Sequence, residues 1–212
     1  MHRDFWIDRW EENRLGWHQE DAHPLLVKFI GAHPLPKGSR IFVPLCGKTR
    51  DIGWLLSQGY RVVAAELSEI AIRQLFDELQ TEPAVQKQGA LTHFSATGLD
   101  VYVGDVFDLT KIQIGPVDLI HDRAAMVALP DDMRARYVSH LAEITDVARQ
   151  FVISFNYDQE LISGPPFSVP QPQIKALYDA FYRSTLLFER DIAGGLKGVA
   201  PASEQAWLME SR

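Results

Sequence analysis

Short apolar runs alternate with longer amphipathic stretches along nearly the whole chain, and this alternation most limits what it can fold into. Ile41 to Pro44 reads as a strand after the turn residues Lys37-Gly-Ser-Arg40. Asp51 to Gln58 has helical spacing and meets Gly59, a good helix stop. Arg61 to Glu66 reads as a second strand. Ser68 then caps a predicted helix from Glu69 to Leu79, with Ile70, Ile72, Leu75, Phe76 and Leu79 apolar at three-to-four spacing. Further strands are predicted at 101–103, 117–120, 150–155, 184–190 and 204–209, the last two pairing with each other. Helices are predicted from Pro130 to about Arg149 and from Ile174 to Tyr182, and one or two more before His33. Strands this apolar need a sheet covered on both faces. Right-handed crossovers then make a doubly wound α/β sandwich, and the late strand pair makes its sheet mixed.

Pro and Gly cluster at 33–38, 163–172 and 193–201, which read as loops rather than long linkers. The 212 residues are therefore expected to form one domain, with 1–34 as an N-terminal helical cap region. The charge sum, 21 − 28 = −7, argues against nucleic acid or an anionic membrane surface as partner. Cys46 is the sole cysteine, so no intramolecular disulfide forms, which suits a reducing compartment. The N-terminal stretch mixes acids with apolar residues, unlike a secretory signal, and no run approaches the roughly 20 apolar residues of a membrane span. A cytoplasmic monomer is expected. The seven histidines show no ligand spacing, so no metal is expected.

In such sheets ligands bind beyond the carboxyl ends of the strands. That rule selects Pro44–Lys48, Glu66, Gly104–Asp105 and His121–Arg123. Gly47 and Glu66 are 19 residues apart, close to the roughly 20 expected between a glycine turn and an acid that holds two ribose hydroxyls. The alternative is that Glu66 is a solvated strand end. A pyrophosphate needs several converging backbone N–H groups. This loop has one glycine, and bulk at Leu45 and Cys46, which disfavours NAD and FAD, and the chain has no GxxxxGK(S/T) loop for ATP. A nucleoside cofactor without phosphate, S-adenosylmethionine, suits it better. Asp105 could accept from an adenine amine beside an apolar wall of Val106 and Phe107, or be a loop acid near a core ring. Trp6, Trp10 and Trp17 fall on one helical face, as core or as a lid. Cys46 is either a nucleophile or a small side chain packed behind the turn. Asp122 is a weak candidate for taking a proton.

Val43-Pro-Leu-Cys-Gly-Lys48, Trp54-Leu ahead of Gly59, Glu66-Leu-Ser-Glu69, Phe107-Asp-Leu109, Asp122-Arg-Ala124 and Gly164-Pro-Pro-Phe-Ser-Val-Pro170 occur in this order. Together they resemble the thiopurine S-methyltransferase family, over Trp6 to Trp207. The resemblance implies a class I, Rossmann-like S-adenosylmethionine-dependent methyltransferase fold. Its sheet would be seven-stranded and mostly parallel, with an antiparallel late strand. It implies methyl transfer to the sulfur of aromatic and heterocyclic thiols, thiopurines included, giving S-adenosylhomocysteine. Bacterial members also suggest selenium or tellurium compounds as acceptors. By motif, Trp10, Leu45, Glu66 and Arg123 would contact the cofactor, with Gly47, Asp105 and Val106 from the same loops. Arg123 would also lie near the acceptor, and Phe167 with Trp10 could close the site. No catalytic base is assigned, since a readily ionised thiol needs alignment and exclusion of water above all. The stretch Ala193–Gln205 does not align with the animal members, which leaves their acceptor-side arginine without an equivalent and acceptor preference open. Competing readings are transfer to oxygen or nitrogen on the same fold, a non-catalytic nucleoside-binding protein, and a dinucleotide oxidoreductase.

Overall fold

The computed structural model describes residues 3–212, so the first two residues of the expected cap lie outside it. The chain divides into two compact units, Met1–Asp118 and Leu119–Arg212.

The first unit opens with two helices, α1 (Arg3–Glu11) and α2 (Pro24–Ala32). Then come β1 (Arg40–Val43), α3 (Arg50–Ser57), β2 (Arg61–Glu66) and α4 (Glu69–Glu78). A hairpin of β3 (Ala84–Gln88) and β4 (Leu91–Ala96), β5 (Leu99–Val103) and the short α5 (Lys111–Ile114) complete it. Its strands lie in the order β3-β4-β5-β2-β1. β2 is parallel to both β1 and β5, whereas β4 is antiparallel to its two neighbours. After Arg61 every residue of β2 is buried, as a central strand covered on both faces requires. Ser68 caps α4 by accepting from the Ala71 N–H at 3.3 Å. Ile72, Leu75 and Phe76 turn inward, but Ile70 is exposed, because the buried stripe starts one residue later at Ala71.

The β3–β4 hairpin has no counterpart in the sequence reading. The four residues Ala84–Lys87 of edge strand β3 are exposed, so no apolar alternation marks them. In β4 only Leu91 and Phe94 are buried, a spacing of three that hides the strand period.

The second unit contains β6 (Leu119–Asp122), α6 (Asp131–Ile144), β7 (Gln150–Tyr157), α7 (Gln171–Tyr178), β8 (Tyr182–Asp191) and β9 (Ala202–Ser211). The order is β6-β7-β9-β8. β6 and β7 are parallel, and β9 runs antiparallel to both β7 and β8. Trp207 is fully buried, its indole N–H donating to Ser154 Oγ at 3.1 Å. α6 stops short of Arg149 because Asp146 and Val147 take left-handed backbone, with φ of 53° and 56°. Tyr182, expected in the last helix, instead opens β8.

Five strands in one unit and four in the other exceed the seven expected, yet the mixed, mostly apolar α/β class holds. Among the described residues no helix is long and apolar enough to cross a membrane.

Candidate active site

In the first unit, the turn after β1 is held by long-range hydrogen bonds. Leu45 and Gly47 have positive φ, 47° and 52°. The left-handed region costs a residue with a Cβ about 1–3 kcal/mol, so Leu45 needs firm support. The Cys46 N–H donates to Ala65 O at 2.9 Å, and the Gly47 N–H to Glu66 Oε2 at 2.8 Å. Glu66 Oε1 accepts from the Ser68 N–H, also at 2.8 Å. One carboxylate thereby binds the loops that follow β1 and β2.

Glu66 is 7% exposed, which removes the solvated-end alternative. Burial pushes its carboxyl above the ordinary range, and the N–H groups of Ser68, Gly47 and Leu67 pull it back. An ionised carboxylate has about four acceptor positions; Gly47 and Ser68 bond to it at 2.8 Å, and the Leu67 N–H also acts on it. Any acceptor capacity left over suits a hydroxyl donor.

The Gly104 N–H donates to Glu66 O at 2.9 Å, which sets the turn after β5 beside the same strand end. There Asp105 is exposed and Val106 buried. Asp105 Oδ1 accepts from the Phe107 N–H at 3.0 Å, opening a short turn over Val106–Asp108.

Trp10 is buried over the β1 turn. A Cβ built on Gly47 would lie 3.0 Å from Trp10 Cζ2 and 3.9 Å from Trp17 Nε1. Trp17 does not share the helix of Trp6 and Trp10, since α1 ends at Glu11. The chain doubles back to set Trp17 edge-on to Trp10 and Trp6, with centroids 6.0 and 5.3 Å apart. The cluster is therefore both core and cover for the turn.

Cys46 is buried, and its Sγ donates to Gly47 O at 3.3 Å. Burial and the charge of Glu66 push the thiol well above its ordinary value. A thiol held protonated is a poor nucleophile, which agrees with the packed reading. Lys48 pairs with Glu78 at 2.9 Å.

In the second unit, β6 ends at Asp122, which is 0% exposed. Its Oδ1 accepts from the Met126 N–H at 3.0 Å and its Oδ2 from the Tyr137 hydroxyl at 2.8 Å. Both oxygens thus serve the protein. Arg123 and Ala124, partly exposed, form the turn between these anchors, Ala124 with φ of 58°. The Phe167 N–H donates to Val127 O at 2.7 Å, which ties the Pro-rich loop to the segment that follows Arg123. That loop is pinned further: Pro166 O accepts from the Tyr157 hydroxyl at 2.6 Å, and Pro165 O from Lys197 Nζ at 2.9 Å.

Tyr137 and Arg134 escaped the sequence reading. Their signal was present, because Arg134 shares the buried face of α6 with Tyr137, Val138 and Leu141. Among the described residues no cluster of His, Cys, Asp and Glu could hold a metal.

A mixed α/β sheet with a glycine turn and a buried acid at its strand ends suits the S-adenosylmethionine-dependent methyltransferase class. Solved structures of that class share the fold. A TehB-like methyltransferase from Corynebacterium glutamicum matches with a TM-score of 0.60 at 16% identity, covering 100% of this chain and 98% of the other. The 1,6-didemethyltoxoflavin-N1-methyltransferase of Burkholderia thailandensis matches at 0.63 and 17% identity, covering 96% of this chain and 86% of the other. The chain belongs to the thiopurine S-methyltransferase family, whose model matches residues 1–211. Among its relatives, the Xanthobacter autotrophicus thiopurine S-methyltransferase is 52% identical over 211 residues, covering 99% of each chain. That of Acinetobacter baylyi is 47% identical over 217 residues, covering 100% of each. The chain is a methyltransferase of this family.

Proposed function

We propose that the chain transfers the methyl group of S-adenosylmethionine to the sulfur of an aromatic or heterocyclic thiol, thiopurines among them. The observation that carries this reading is a family match running through 1–211. The Glu66–Gly47 arrangement fits the cofactor, because the carboxylate keeps acceptor capacity after it has bound the turn. S-adenosylmethionine, when bound, supplies an electrophilic methyl group.

The protein's own residues hold and shield. In this proposal Glu66 accepts the ribose hydroxyls, while Leu45 and Gly47 shape the turn and Trp10 covers it. Asp105 and Val106 take the adenine, the first as acceptor and the second as apolar wall. Arg123 contacts the cofactor and lies near the acceptor, and its positive charge favours the thiolate over the thiol. Phe167 gives the acceptor an apolar surface. Asp122 takes no proton from substrate, since it is 0% exposed.

We also infer a single catalytic domain over 1–212, supported by one family model spanning both units. A cytoplasmic monomer is part of the same proposal. The free, buried Cys46 suits a reducing compartment, and the most exposed apolar side chains, Ile112, Val199, Leu161 and Val85, lie on four separate segments of the chain.

The test is incubation with labelled S-adenosylmethionine and a panel of thiols, phenols and amines, with products read by mass spectrometry. Methyl transfer confined to sulfur is the expected result. Transfer to oxygen or nitrogen alone, or cofactor binding without turnover, overturns it.

A further inference from the structure

We propose that Arg134 is a positioning residue for the methyl acceptor: from α6 it holds the Phe167 ring and the turn over Met126–Leu129 in one fixed arrangement. The proposal rests on the reading that Phe167 belongs to the acceptor side.

Arg134 is 3% exposed. A buried cation persists only where its donors find acceptors, and those acceptors come from separate segments. The Nε–H donates to Leu129 O at 2.9 Å, at the end of the turn that follows Arg123. Nη1 donates to Gln173 Oε1 on α7 at 3.1 Å and reaches Asp131 Oδ1 at 3.4 Å. The guanidinium carbon lies 5.4 Å from the centroid of the Phe167 ring, within the range of a cation–π contact. Phe167 is confined from two more sides. Its N–H is bound to Val127 O, and its ring packs on Gly164, where a Cβ would lie 2.5 Å from Cδ1. Gly164 has φ of 79°, so the loop needs its missing side chain twice over.

The ring is thus trapped, yet part of it remains exposed. A trapped, partly exposed ring offers a flat acceptor an apolar surface whose position does not drift, which suits offset stacking. The planar guanidinium is what allows one side chain to serve Leu129, Gln173 and a ring face together; a lysine ammonium lacks that fork. Gly47 and Glu66 lie in the first unit, and Arg134 acts on the far end of the turn that follows Arg123, at Leu129. Loss of Arg134 is therefore expected to change acceptor recognition more than cofactor binding.

The experiment is steady-state kinetics with a thiopurine acceptor, alongside calorimetric titration with S-adenosylhomocysteine. The variants are Arg134→Gln, Arg134→Lys, Gln173→Leu and Phe167→Ala. Arg134→Gln is expected to raise the acceptor KM by about 5- to 20-fold. Its kcat falls less than that, and its affinity for S-adenosylhomocysteine changes less than the acceptor KM does. Arg134→Lys restores part of the loss. Combining Arg134→Gln with Phe167→Ala adds nothing to Phe167→Ala alone.

An unchanged acceptor KM, with activity falling only as the folded fraction falls, overturns the proposal, as does a parallel loss of cofactor affinity. Should Arg134→Gln fail to fold, Gln173→Leu loosens the same guanidinium and leaves its charge in place. A raised acceptor KM then supports the proposal and an unchanged one overturns it. If Phe167→Ala leaves the acceptor KM untouched, the acceptor-side reading itself fails and takes this proposal with it. If Phe167→Ala raises it while the Arg134 and Gln173 variants do not, the positioning role alone falls.

Discussion

Two buried carboxylates close parallel strands in the two units, and they are used differently. Glu66, at the end of β2, reaches the loop after β1 and its own loop through two backbone N–H groups. Asp122, at the end of β6, accepts one local N–H and the hydroxyl of Tyr137 from α6. Glu66 is 7% exposed and Asp122 is 0% exposed. Side-chain length explains part of the contrast. The extra methylene lets Glu66 bridge to a neighbouring crossover, whose turn has positive φ at Leu45 and Gly47. The shorter Asp122 is sealed by its own turn and a helix. Both acids tie loops to their strand ends, and the exposure left to Glu66 is what fits it to the proposed binding role.

Asp122→Ala is expected to give the largest effect. It leaves the Met126 N–H and the Tyr137 hydroxyl buried without their acceptor, at about 1–3 kcal/mol each. Urea denaturation should show the loss, and a variant as stable as the wild type would contradict the structural role of Asp122. Glu66→Ala should weaken binding of S-adenosylhomocysteine by about 1.5–3 kcal/mol, the scale of hydrogen bonds to a charged group. Calorimetry reads this directly, and unchanged affinity would move Glu66 into the structural role of Asp122.

The pH dependence of stability sharpens the comparison. Burial raises both carboxyls above their ordinary values of 4.5 and 3.8. Between those values and the elevated folded ones, the folded protein keeps protons that the unfolded chain has released. Stability from these groups is present at the acid end of that window and declines as pH rises through it. Glu66→Gln and Asp122→Asn should each flatten the decline in denaturation series run at stepped pH. The wild-type minus variant difference is the quantity to follow, since Glu189, pulled down by Gln205 and Ser203, contributes with the opposite sign. A difference that is flat or rises with pH would contradict the assignment.

The smallest effect is expected from Cys46→Ser, which should keep most turnover, because the thiol is held protonated behind the Gly47 turn. Abolished turnover in a folded Cys46→Ser variant would restore a covalent role for the thiol.

Much of the candidate site was legible before the structure. The interval from Gly47 to Glu66 follows from strand–helix–strand chain length, and the structure joins the two at 2.8 Å. The gathering of Trp10 and Trp17 over the turn was legible only in part. Helical spacing put the tryptophans on one face, whereas α1 stops at Glu11 and tertiary packing brings Trp17 back. Arg134 shows the reverse case. Its place on an apolar helix face was visible, but not the Leu129, Gln173 and Phe167 contacts that give the place meaning.

Apolar periodicity along the chain determined the α/β class, the central strands and which loops follow their carboxyl ends, because burial of each element leaves its period in the residues themselves. Tertiary structure alone decided the β3–β4 hairpin and the hydrogen-bond partners of Glu66 and Asp122. An edge strand buries too little to leave a pattern. The partners of a buried carboxylate are set by turns and helices distant in sequence, which local residue order does not encode.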